Sequence, residues 1–217
     1  MKKLLLPILI ATLGLTGCYL PQNFDNQVQV SRSGQYQVNI DTDVIGGVYL
    51  AMQNEAKEKN KPVPEKDQKK ALQECEEEFN QVVASDAKKG KHIVNSKYLG
   101  ECKGHLTLEY KGNIITEKKF EAAIGGQEKG FYLPVQMTYD AKSKQITIDS
   151  NTKGDRSALE TWGNFQYNGK LSVKTDGKVI STNSDSKPYW GLIGSYKWDI
   201  KDFSTPNGKI VISTTGI

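Results

Sequence analysis

Residues 101–111 alternate with a period of two. Cys102, Gly104, Leu106, Leu108 and Tyr110 fall on one side; Lys103, His105, Thr107, Glu109 and Lys111 fall on the other. Such a stretch satisfies both environments only as a strand with one face on a core and one in water. The same alternation recurs along the chain. Val28 and Val30, then Tyr36, Val38 and Ile40, flank the turn-rich Ser31–Gly34, so residues 24–40 read as a hairpin. Gly34 can supply a positive φ there. Further strands are predicted over 114–124, 130–139 and 145–149, with Asp140–Lys144 as a hairpin loop. Pro134 marks an edge strand or a bulge. Phe165, Tyr167, Leu171 and Val173 alternate again, and Asp176-Gly177 has the residues of a two-residue hairpin turn leading into 179–182. Tyr196, Trp198 and Ile200, then Ile210 and Ile212, predict the last strands.

Two stretches break the period. Over 65–84, Leu72, Cys75, Phe79, Val82 and Val83 fall at helical spacing, and Glu74, Glu76, Glu77 and Glu78 point mostly elsewhere. Between Glu55 and Lys91 lysines and acids balance at nine each, which makes the acidic run a solvated face. Over 43–60 the apolar stripe is ragged; Asp43 could cap the helix, and Lys61-Pro62-Val63-Pro64 ends it. A short helix is expected over 155–164. The order hairpin, two helices, many short strands predicts an α+β fold, a mainly antiparallel curved sheet with two helices inserted after the first hairpin.

Residues 1–18 carry a different signal. Lys2 and Lys3 precede an apolar run from Leu4 to Leu15 that is too short to span a bilayer, and small residues lead to Cys18. That order is a secretory signal peptide. Leu15-Thr16-Gly17-Cys18 resembles the lipobox of bacterial lipoproteins, and the resemblance implies that Cys18 is acylated and becomes the first residue of the mature chain. Removing residues 1–17 then leaves 200 residues. The expected organisation is a signal peptide over 1–17, a short lipidated tether over 18–23 and a single periplasmic domain over 24–217. Tyr19 rather than Asp after the cysteine implies, by resemblance to the enterobacterial sorting rule, the periplasmic side of the outer membrane.

With Cys18 assigned to lipid, Cys75 and Cys102 remain as a pair in an oxidising compartment. Each lies on the apolar side of its element, so a helix packed on that strand would bring both sulfurs into one interface. A disulfide is expected, closing a loop of 26 intervening residues; two buried free thiols are the alternative.

The formal charge of +4 includes Lys2 and Lys3, which leaves the mature chain near neutral. Arg32 and Arg156 are its arginines. Arginine is the preferred fork for phosphate and base edges, so no nucleic-acid partner is expected.

Catalytic signatures are weak. There is no GxSxG. His92 sits in a Lys-rich connection and His105 on the polar side of its strand, and either would need a partner to act as a base. Paired carboxylates for glycoside chemistry stay open. Asp149 to Glu160 resembles a calcium loop, but Lys153 and Arg156 occupy positions that need an oxygen ligand and an apolar residue. No catalytic residue, metal ligand or cofactor is assigned. The Pro188–Gly194 stretch is apolar and broken by glycine. Tyr189, Trp190, Leu192 and Ile193 are expected either to plug the sheet core or to contact a membrane or partner.

The hairpin after the lipobox, the helical insertion, Lys97-Tyr98-Leu99-Gly100, and the ending from Asn183 to Pro188 and Gly191 to Trp198 resemble a loosely defined group of proteobacterial envelope lipoproteins. The opening is also similar, more distantly, to the mycobacterial LppM-type lipoprotein domain. The resemblance implies a membrane-anchored envelope domain with a non-enzymatic role towards a lipid, glycan or protein. A periplasmic hydrolase or a toxin-immunity lipoprotein are the alternatives. An apolar sheet interior would favour the binding role; a polar cleft holding His105 or a carboxylate pair would favour the hydrolase.

Overall fold

The computed structural model describes residues 19–90, 92–124, 131–150, 167–189, 194–201 and 208–215. The chain opens with two long strands, β1 (Tyr19–Val30) and β2 (Gln35–Gly46), joined by a turn in which Gly34 adopts φ +84°. Two helices follow, α1 (Gly47–Glu58) and α2 (Glu65–Lys89), then β3 (Ile93–Gly100) and β4 (Lys103–Asn113). A single helical turn, α3 (Ile114–Glu117), leads to β5 (Lys119–Ile124), β6 (Phe131–Asp140) and β7 (Gln145–Asp149). The described chain ends with β8 (Asn168–Thr175), β9 (Lys178–Thr182), β10 (Tyr196–Ile200) and β11 (Lys209–Ser213).

The fold is α+β, with its strands divided between two open sheets. The larger has the order β10-β8-β1-β2-β4-β3, the smaller β5-β6-β7-β11-β9. β1 and β8 run parallel; the other pairings of these strands are antiparallel. One apolar core joins the inner faces. The larger sheet contributes Val28, Val38, Ile40, Leu106, Leu108 and Leu171, and the smaller contributes Val135, Met137, Ile146, Ile148, Ile210 and Ile212. Asn26 breaks the pattern: it is fully buried on that face, and neither atom of its amide has a protein partner. Such a group costs about 1–3 kcal/mol.

Several local expectations change. Residues 19–23 are not a tether, because β1 starts at Tyr19 and both Tyr19 and Leu20 are buried. Asp43 caps no helix. It lies in β2, whose buried alternation continues through Val44, and α1 begins only at Gly47. Ile114 and Ile115 leave the strand because the Asn113 side chain accepts from the Ile115 and Thr116 amides and starts a helical turn. Asp176-Gly177 does not close a hairpin, since β8 pairs within the larger sheet and β9 within the smaller. The bulge expected at Pro134 is present: between the pairs Glu121–Gln136 and Ala123–Tyr132, β6 has three residues against one of β5, and Pro134 is the middle one. Residues 151–160, which hold most of the calcium-like loop, and the 155–164 helix lie outside the described residues.

The helix α2 closes one end of the larger sheet's inner face. Ala71, Cys75 and Phe79, four residues apart, form its buried stripe. Glu65 and Asp67 in the first turn complement the helix dipole. At the other end, Asp86 Oδ2 accepts from the His92 and Ile93 amides at 2.8 and 2.7 Å, fixing the path into β3. The Phe79 ring lies over Gly104, where an added Cβ would come within 2.3 Å of it. Cys75 and Cys102 are joined by a disulfide with Cα atoms 5.2 Å apart.

Candidate functional site

The outer face of the larger sheet is where polar chemistry collects. Alternation sends Phe24, Val28 and Val30 inward, and it sends Asn23, Asp25, Gln27 and Gln29 outward. On β2 the outward positions are Gln35, Gln37, Asn39, Asp41 and Asp43. Every one of these nine positions therefore holds a carboxamide or a carboxylate. The register aligns Gln29 with Gln37, Gln27 with Asn39 and Asp25 with Asp41. A bulge between Pro21 and Phe24 turns Asn23 towards Asp43, and its amide donates to Asp43 Oδ2 at 3.1 Å.

His105 on β4 meets this acidic end. Its Nδ1 lies 3.0 Å from Asp43 Oδ1 and its Nε2 lies 3.3 Å from Asp41 Oδ2. Ionised carboxylates only accept, so in the protonated imidazole both ring nitrogens donate, one to each aspartate. The hydrogen bond that His105 donates to Asp43 is the main cause that raises His105 above its ordinary value. Partial burial works the other way, and the charges of Asp41 and Asp43 add to the rise. Partial burial pushes the Asp43 carboxyl up, but the hydrogen bonds from His105 and Asn23 and the imidazolium charge outweigh it, and the net direction is down. Lys97 on β3 pairs in register beside His105 on the other flank. Asp41, Asp43 and His105 line an open groove of about 660 Å³ with Asp25 on β1 and Lys170 on β8.

While protonated, the His105 ring has no lone pair to take a proton; it gains one as pH rises through its raised folded value. The nearby Thr107 hydroxyl donates to Asp41 at 3.2 Å and so is directed at an acid rather than at the imidazole. What the clamp does is couple the two strands to pH. Asp43's contribution is present above the ordinary aspartate value of 3.8 and is lost as pH falls through its lower folded value. That of His105 is complete below 6.5 and is lost as pH rises through its higher folded value. Thermal melts of the protein and of His105→Gln are therefore expected to differ most between these limits, with the gap narrowing towards alkaline pH. A gap that widens above pH 7 would contradict the clamp.

The structure places the other sequence candidates as follows. His92 stacks on Tyr110 with ring centres 4.4 Å apart and helps cover the core edge. Tyr189 is 80% exposed. Cys18, Trp190, Leu192 and Ile193 lie outside the described residues. Among the described residues, no three His, Cys, Asp or Glu side chains are grouped to hold a metal ion, and no helix is long and apolar enough to cross a membrane. Sequence reasoning identified His105 as outward-facing but missed Asp41 and Asp43 as its partners. The available signal was the run of Asn, Gln and Asp at alternate positions through 23–29 and 35–43.

No family model and no curated protein matches the sequence. Among solved structures, the folded domain of LppM from Mycobacterium tuberculosis is similar at a TM-score of 0.40 and 10% identity, over 92% of this chain and 95% of that chain.

Proposed function

We propose that the chain is a lipoprotein of the bacterial cell envelope, anchored through Cys18, whose folded body binds an envelope component without catalysing a reaction. The leader of residues 1–17 and the Leu15–Cys18 tetrapeptide support the anchor. The observation that carries the reading is the position of Tyr19. It is 4% exposed, its ring packs on Phe79 with centres 5.6 Å apart, and its hydroxyl donates to the Cys75 carbonyl. A core that begins one residue after the lipidated cysteine leaves no slack, so the β1 start and α1 would rest at the membrane surface. The apolar interior between the two sheets supports the binding half of the reading, while the groove that holds Asp41, Asp43 and His105 is the feature that would favour the hydrolase alternative. The lipid end and the outward face of β1 and β2 then adjoin, placing that face beside the membrane and open to the periplasm.

Replacing Cys18 by Ala is expected to move the protein from the membrane to the soluble fraction and to leave its leader uncleaved by the lipoprotein signal peptidase. In a sucrose gradient the native protein is expected with the outer-membrane fractions, as Tyr19 after the cysteine implies. Continued membrane association of the Cys18→Ala variant would overturn the anchor, and recovery of the native protein with the inner membrane would overturn the sorting.

A further inference from the structure

We infer that the outward face of the β1–β2 hairpin is a binding track for a polyhydroxylated ligand, a glycan chain laid along the two strands. The inference rests on the envelope-binding reading above and names the ligand class.

The first ground is composition against propensity. Asn and Asp are poor strand residues, yet Asn23, Asp25, Asn39, Asp41 and Asp43 occupy five of the nine outward positions. Asp25 stands directly opposite Asp41, where like charges destabilise a pair. A solvent face could use Thr or Lys at every one of these positions. Local rules broken without a packing gain mark a functional surface.

The second ground is shape. A groove of about 710 Å³ lies at the turn end of the hairpin, lined by Gln29, Gln35, Gln37 and Lys174. The His105 groove lies at the other end of the same face. The two are separated by one cross-strand row, Gln27 and Asn39. From Gln29 to Asn23 the track runs roughly 20 Å at about 3.4 Å per residue.

The third ground is chemistry. Carboxamides offer donors and acceptors from one planar group, and carboxylates add strong acceptors. Vicinal sugar hydroxyls, each both donor and acceptor, are complementary to such a surface. The nine positions hold no apolar side chain, which disfavours acyl chains, and no cation. Lysines stand at the flanks, Lys111 and Lys174 beside one groove and Lys170 beside the other, and the vesicle arm below reads an anionic headgroup that used them. Part of the track is already held in place. Gln37 Nε2 donates to Glu109 Oε1 at 2.7 Å and to Asn39 Oδ1 at 3.4 Å, so less side-chain freedom is lost on binding.

An NMR titration of the full chain, purified from membranes in mild detergent, tests the track. The probes are the N-acetylglucosamine tetramer and maltotetraose, with phosphatidylglycerol vesicles as a third arm. At least one glycan is expected to shift the side-chain amide signals of Gln27, Gln29, Gln37 and Asn39. The double variant Gln29→Ala/Gln37→Ala is expected to keep the native melting temperature and to weaken binding at least about tenfold, the equivalent of roughly 1.4 kcal/mol. Silence with both glycans, shifts confined to another face, binding unaffected by the double variant, or a response to vesicles alone would each overturn the inference. The titration is done in solution, so its failure is separate from a failure of Cys18 anchoring, which only the fractionation reads.

Discussion

Reducing the Cys75–Cys102 bridge is expected to lower the stability of the domain by about 3 kcal/mol, a fall in melting temperature of roughly 10 °C. The bridge spans 27 residues of sequence and ties α2 to the start of β4. Between those points the chain passes the end of α2, the His92 connection and β3, so the open form gains the entropy of a long loop. The effect is also local. Cys102 is fully buried and Cys75 is 5% exposed, so the Cys75→Ser/Cys102→Ser variant leaves hydroxyls inside the interface that α2 makes with the sheet. Melts of the native protein with and without reductant, beside that double variant, measure the first effect. Limited proteolysis measures the second, with new cuts expected in α2 before any in β1 or β2. A change under about 1 kcal/mol would mean that packing alone holds the helix.

Phe79→Ala is expected to cost about 3–5 kcal/mol, enough to release α2 even with the bridge intact. The Phe79 ring is 3% exposed, edge-on to Tyr19 and tilted against Tyr98 at 5.7 Å between centres. Truncation removes an aromatic that joins the β1 start, β3 and the helix. Gly104→Ala attacks the same contact from the sheet side, because its methyl would enter the space of the Phe79 ring. The two changes share one cavity and are expected not to add: the double variant should be more stable than the sum of the single losses predicts. Denaturant unfolding of all four proteins decides this, and strict additivity would show that Phe79 does not rest on Gly104.

Both predictions stand on features that were legible from residue spacing. A period of about 3.6 put Cys75 and Phe79 on one stripe, and a period of two put Cys102 and Gly104 on one face, so the pairing needed only that the two surfaces meet. The division into two sheets was not legible. Asp176-Gly177 has the right residues for a hairpin, but β8 instead extends β1, and nothing local encodes which edge a strand will join. The end of β2 misled for a related reason. Asp43 is a residue type that caps helices, and it stayed in a strand because Val44, fully buried, has its place in the core. The candidate site divides the same way. The outward direction of His105 was plain from alternation. Its two acidic partners come from a strand about sixty residues earlier, and only the register of β2 on β4 brings them within reach.

The parallel pairing of β1 with β8 has a bearing on how the chain reaches this state. β1 sits in the middle of the larger sheet, and Asn23 lies beside Asn168. A chain that emerges N-terminus first can form the β1–β2 hairpin early and add β4 and β3 soon after. The other edge of β1, a run of unpaired amides and carbonyls above Phe24, Val28 and Val30, stays open until residues 168–175 arrive. Such long-range pairing is slow, because loop closure must precede the contacts that reward it. Until β8 pairs, the first strand is therefore a template that any other extended segment can occupy, and a chain cut short before β8 never closes it.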